Sequence, residues 1–139
     1  MIKLQLGGFD THGRQLVRHQ SLWRQVALSL AAFRASMRKH GLWDQIAIAS
    51  YSEFGRRVAE NGNKGTDHGT AAPHFVLGGA VRGGFIGDYP PLDDLVGGDL
   101  RHTTDFRSYY RGLSEGWLGL PVEPRLASSG RIDIFKSRQ

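Results

Sequence analysis

The order of segments in this 139-residue chain predicts an α/β fold. Three observations carry the expectation. Residues 16–39 space their apolar side chains as an amphipathic helix does, short apolar runs lie on either side of that helix, and a further run follows a glycine-rich loop. Strand, helix, strand, loop, strand, helix is the grammar of a layered α/β fold. In such folds ligands gather beyond the carboxyl ends of the strands.

Ile2 to Phe9 alternates at first and then turns glycine-rich, as a strand does at its end. Thr11 to Gln15 reads as a loop or helix start. Leu22, Val26, Leu30, Phe33 and Met37 then step by three or four, which stacks them on one helical face with Trp23 beside it. Arg38, Lys39 and Gly41 supply the basic last turn and the terminal glycine of such a helix. Ile46 to Tyr51 is a short continuous apolar run, the form of a strand buried on both faces. His74 to Val81 reads as a third strand, and a short one is expected near Leu95-Val96. Thr103-Thr104-Asp105 caps a second helix over about Phe106 to Trp117, stopped near Gly119 and Pro121. The domain is expected over residues 1–121, with a weakly structured basic tail over 122–139.

A hydrophobic content of 40% against 22% charged is that of one ordinary folded domain. No apolar run approaches the ~20 residues of a membrane helix, and the first residues lack the regions of a signal peptide. No membrane partner is expected. Cysteine is absent, so any metal must be held by histidine and carboxylate. The net charge of +5 and pI near 10 favour anionic partners such as phosphate or sulfate esters and acidic polysaccharide. Arg24, Arg34 and Arg38 share one side of the first helix. No aromatic interleaving accompanies them, so they read as a solvated face, and nucleic acid is not expected.

Three loops carry candidate chemistry. Asp10 and His12 lie two apart in an extended segment and so point to the same side, where they address one cation or, alternatively, cap a turn. Glu53 stands just past a strand and reads as a ligand, a general base or a solvated cap. Arg56 offers the forked guanidinium suited to phosphate or sulfate oxygens. Asp67 and His68 lie in a long polar loop, Gly65-Thr66-Asp67-His68-Gly69, of the kind that more often serves function than fills space. His19 falls on the apolar helix face and reads as a hydrogen-bonded core histidine. His74 is kept as a partner behind the ligands, His40 reads as a helix-end residue and His102 as a loop residue.

Taken together, Gly8-Phe9-Asp10-Thr11-His12, Ser52-Glu53-Phe54-Gly55-Arg56, Gly65-Thr66-Asp67-His68-Gly69 and Leu77-Gly78-Gly79-Ala80-Val81 resemble a bacterial family catalogued as domain of unknown function 1501, often labelled sulfatase-like. The match runs to about Pro121. That resemblance implies membership of the alkaline phosphatase superfamily, hence a partial α/β/α sandwich with a mostly parallel sheet. It implies a metal site in which Asp10 and His12 match one Asp-and-His pair and His68 a later histidine. Glu53 would match the Asp of a second metal site, although Phe54 stands where that site expects histidine. Family members are much longer, so the chain resembles a C-terminal portion. The nucleophile and any export signal are then expected in a preceding region, and self-association is expected of an uncovered sheet.

The function expected from this reading is part of a metal-dependent phosphate or sulfate ester hydrolase. Asp10, His12, Asp67 and His68 would hold the metal and Glu53 and Arg56 would serve catalysis. Zn²⁺ or Mn²⁺ suits the donors, with Mg²⁺ or Ca²⁺ as harder alternatives. The alternative is a non-catalytic metal- or polyanion-binding module.

Overall fold

The longest element, α1 (Gln15–Lys39), contains neither glycine nor proline, so nothing in its interior interrupts the helical ladder. The computed structural model describes residues 1–137; Arg138 and Gln139, the end of the expected basic tail, lie outside the described residues. Arg14 before the helix offers no side-chain cap. Instead, the backbone N–H groups of Arg14 and Gln15 donate to the carbonyls of Asn63 and Lys64, both at 3.0 Å. A distant loop therefore satisfies donors that a local cap would otherwise take. At the other end Gly41 has φ 68°, and the N–H groups of Gly41 and Leu42 return to the carbonyls of Arg38 and Met37. That is the paired closure of a left-handed helix terminus.

Leu22, Val26, Leu30 and Met37 are half-buried along one face, in line with their spacing, but no residue of α1 is fully buried. Phe9 supplies part of the cover, meeting Trp23 edge-on with ring centroids 5.4 Å apart. No helix among the described residues is long and apolar enough to cross a membrane.

The strands are short and pair in three separate antiparallel ribbons. β1 (Ile48–Ala49) pairs with β4 (Val76–Leu77), Ile48 opposite Leu77. β2 (Gly55–Arg56) pairs with β3 (His68–Gly69), Arg56 opposite His68. β5 (Leu95–Val96) and β6 (Asp99–Leu100) form a hairpin whose two turn residues, Gly97 and Gly98, have φ of 60° and 90°. Positive φ at both turn positions matches the twist of the strands, and glycine accepts it without steric cost.

The core sits at the carboxyl end of the chain. Ile134 and Phe135 are the buried hydrophobics, 2% and 7% exposed. Val81 bridges to Phe135, Arg82 N–H donates to the Ile134 carbonyl at 3.0 Å, and Lys136 N–H donates to Ala80 at 2.9 Å. Across this short pairing lies α2 (Phe106–Gly116), with Trp117 tilted over Phe135 at 5.3 Å. The side chain of Asp105 accepts the Arg107 N–H at 2.8 Å and starts α2, as the sequence indicated. Tyr109 Oη–H donates to the Ser50 carbonyl at 2.9 Å, tying α2 to the end of β1; burial pushes its hydroxyl pKa up to about 12. The stretch after Pro124 is thus basic on its surface and apolar where it meets α2.

The α/β/α sandwich with a mostly parallel sheet is not present. Two parallel neighbours need a crossover long enough to return the chain to the same edge. Between β1 and β4 the chain runs through the β2–β3 ribbon and a glycine-rich loop, with no helix, and returns antiparallel. Residues 2–9 form no strand, and Ile2 and Leu4 are exposed. Their alternation offers one apolar edge, but among the described residues no strand lies beside it. The run Ile46–Tyr51 shortens to the two residues of β1, of which Ala49 is exposed.

Ile134→Ala should cost about 2–5 kcal/mol in urea denaturation, because the site is closed by α2 on one side and the 80–82 segment on the other. The Arg107 side chain and backbone hold the Asp105 carboxyl down at about 2, against an ordinary value of 3.8. Its contribution is therefore complete above about pH 5 and lost as pH falls through about 2. The stability difference between the natural chain and Asp105→Asn should stay constant from pH 7 to about 5 and close below that.

Candidate metal centre

Residues two apart in an extended segment alternate sides with the one between them. Asp10 and His12 face outward accordingly, while Thr11 is 1% exposed. Thr11 is anchored by a hydrogen bond of 2.9 Å between Oγ1 and His19 Nε2, so the half-buried His19 of α1 holds the loop. His19 also reaches the Phe9 carbonyl at 3.4 Å.

Arg56 on β2 fastens the loop from below. Its Nη2 donates to the Phe9 carbonyl and its Nη1 to the Thr66 carbonyl, both at 2.6 Å. Its guanidinium is also 3.9 Å from Asp10 Oδ1 and lies over the Phe54 ring at 5.0 Å. Gln15 Oε1 accepts from both the N–H and the hydroxyl of Thr66, at 2.6 and 2.8 Å. Gly65 passes so close to the first loop that an added Cβ would lie 2.7 Å from the His12 carbonyl carbon, so no other residue fits there without moving the backbone.

These contacts bring three side chains to one point. His68 Nε2 lies 2.8 Å from Asp10 Oδ1 and His12 Nε2 lies 3.1 Å from the same oxygen. One ligand atom from each of Asp10, His12 and His68 falls within 4.8 Å of the others, and all three residues are exposed. Asp67 stands behind them: its Oδ1 is 3.3 Å from His12 Nδ1 and accepts from Asn61 Nδ2 at 3.1 Å. Asn61 also donates to the His12 carbonyl and accepts from the N–H groups of Asn63 and Gly65, shaping the turn that carries Gly65. Phe54 stacks flat on His68 at 3.7 Å and 8°, covering one side of the imidazole.

Both carboxyls are held below their ordinary pKa. The hydrogen bond from His68 is the main cause at Asp10, followed by the charges of His68, His12 and Arg56. At Asp67 the Asn61 hydrogen bond leads and His12 follows. Ionised carboxylates are what a cation site needs. His12 has Asp67 Oδ1 at its Nδ1 and Asp10 Oδ1 at its Nε2, and His68 Nε2 meets the same Asp10 oxygen. Two imidazole nitrogens and a carboxylate oxygen within 4.8 Å of one another are a donor set a cation can share, and a carboxylate behind a ligating imidazole fixes its tautomer and orientation. The residues present therefore fit a divalent metal.

Of the residues singled out in the sequence, the structure brings together Asp10, His12 and His68, and places Asp67 one step out, as the orienter of His12. Arg56 sits beneath the centre with its end nitrogens on backbone carbonyls. Glu53 is exposed in the loop before β2 and makes no hydrogen bond or ion pair among the described residues. His74 is apart from the group, 3.4 Å from Ser50 Oγ and stacked on Tyr109 at 5.6 Å; partial burial lowers its pKa. Sequence reading missed Asn61, Gln15 and Thr11. Asn61 precedes a glycine in a turn-forming run, and Thr11 lies between two outward residues, so both left a signal.

Arg56→Lys should leave one of the two carbonyls without its donor, costing about 1–3 kcal/mol. The amide resonances of Phe9, Asp10 and Thr66 should shift together in an NMR spectrum of that variant.

Comparison with curated proteins gives no match, and neither does comparison with solved structures. A family model described as protein of unknown function (DUF1501) matches residues 1–108, which take in all three loops of the centre. The chain belongs to that family.

Proposed function

We propose that this chain holds one divalent cation between Asp10, His12 and His68 as part of a metal-dependent hydrolase-like protein acting on phosphate or sulfate esters, related in chemistry to alkaline phosphatases and sulfatases. The observation that carries the reading is the convergence of three ligand atoms within 4.8 Å, contributed by loops far apart in the chain. Two imidazole nitrogens and a carboxylate oxygen are a donor set that catalytic zinc sites use while keeping a position open. Mn²⁺ accepts the same set, whereas Mg²⁺ and Ca²⁺ prefer oxygen alone.

When bound, such a cation supplies Lewis acidity toward an anionic ester. The chain's own residues do the rest. Asp67 fixes the His12 ring, and Arg56 fixes the backbone on either side of Asp10 while lending positive potential beneath it. Phe54 blocks one face of His68. Glu53, next to Phe54 in the same exposed loop, is the unpaired carboxylate we assign to proton transfer. No serine or threonine hydroxyl hydrogen-bonds to the three ligands among the described residues. We assign the nucleophile to a group from outside this chain, so the chain alone is expected to hydrolyse esters at the background rate.

Calorimetric titration with Zn²⁺ and Mn²⁺ tests the reading. One ion should bind per chain. His12→Ala and His68→Ala should abolish binding, and Asp67→Asn should weaken it by about 10–100-fold. Glu53→Gln should leave it unchanged. An affinity indifferent to both histidine substitutions would overturn the assignment. If salt-sensitive heparin binding also survived them, a polyanion-binding module would take its place.

A further inference from the structure

We infer that the basic flank of α1 and the acidic loop over residues 83–100 are complementary surfaces, and that each docks on its counterpart in a second copy of this chain. Three observations carry this. The first is area. The chain exposes 10515 Å². A compact monomer of its 15.4 kDa exposes roughly 7,200 Å². The excess of about 3,300 Å² is more than the ~1,000–2,500 Å² that each copy gives up in a permanent interface.

The second is charge. From Gly13 to Trp43 the chain carries Arg14, Arg18, Arg24, Arg34, Arg38 and Lys39 and no acidic residue. None of these six meets a carboxylate within the described chain. From Gly83 to Leu100 it carries Asp88, Asp93, Asp94 and Asp99 and no basic residue. Asp94 and Asp99 pair with Arg101 and Arg57, whereas Asp88 and Asp93 make no ion pair among the described residues.

The third is apolar exposure on both surfaces. Leu16, Val17 and Leu28 are exposed on α1, and Phe85, Tyr89 and Leu92 on the loop, with Phe85 fully in solvent. Adjacent prolines, Pro90 and Pro91, and the hydrogen bond from the Thr103 hydroxyl to the Asp88 carbonyl at 2.6 Å limit the freedom the loop would lose on docking. A basic, partly apolar helix and an acidic, partly apolar loop on one chain make a contact between unlike patches. Two copies satisfy both contacts when they pair reciprocally about a two-fold axis; where the geometry does not close at two, the contact runs on into rings or open assemblies.

Sedimentation velocity over a hundredfold range of concentration tests this with the full chain. Assembly should grow with concentration and weaken with salt. Paired reversals on the helix (Arg24→Glu with Arg38→Glu) or on the loop (Asp88→Lys with Asp93→Lys) should each raise the dissociation constant at least tenfold. A mixture of the two variants should assemble again, since helix and loop charges then face opposite charges across one contact. Zero-length carbodiimide cross-linking of mixed ¹⁴N and ¹⁵N natural chains gives a readout that needs no variant to fold. It should join Lys39 to Asp88 or Asp93 between differently labelled copies. A natural chain that stays monomeric throughout, or assembly without such inter-copy links, overturns the inference.

Discussion

The bond pair from Arg56 to the carbonyls of Phe9 and Thr66 is the constraint on which the site rests. It joins the loop bearing Asp10 and His12 to the loop bearing Asp67 and His68, and it does so from β2, whose own ladder holds His68 in register. A guanidinium suits this task because its donors are planar and diverge at a fixed angle, so two acceptors are located relative to each other as well as to the arginine. A carbonyl without a donor in this half-buried place would carry a desolvation cost, which makes the arrangement stiff. The two loops it joins are held further by the Thr11–His19 bond on one side, the Gln15–Thr66 bonds on the other and Asn61 between them.

The centre that results is built from loops, steadied by the two-residue strands β2 and β3 and by the start of α1. Its order comes from hydrogen bonds to backbone atoms, not from a surrounding sheet. Asn61 shows the economy of the scheme, since one amide shapes a turn, steadies the His12 carbonyl and fixes Asp67. The ligands stay exposed while the atoms behind them are engaged. An open face with a fixed back keeps the three side chains accessible while it holds their geometry.

Away from the centre, packing is sparse. The buried hydrophobics gather where α2 meets the 80–82 and 132–136 segments, far along the chain from α1. Helix α1 is secured at its start by loop carbonyls and at its end by its own Schellman closure, yet it buries no residue fully. A helix of this length with half-covered apolar side chains retains exposed surface, and every charged residue on it is basic.

The sequence by itself determined the local elements: α1 from its apolar period and terminal glycine, α2 from its Asp105 cap, the position of β4 within the third apolar run and of β5 at Leu95-Val96. These depend on neighbours within a few residues, so short-range rules suffice. It also marked Asp10, His12 and His68, because carboxylate and imidazole in glycine-bounded loops are chemically conspicuous. Tertiary structure alone decided strand direction, turning the expected parallel sheet into three antiparallel ribbons, since pairing is chosen by which distant segments meet. It likewise decided that Arg56 binds carbonyls and that Asp67 stands behind His12. A guanidinium takes carboxylate, phosphate or carbonyl oxygen with similar ease, and only the folded chain shows which acceptor lies within reach.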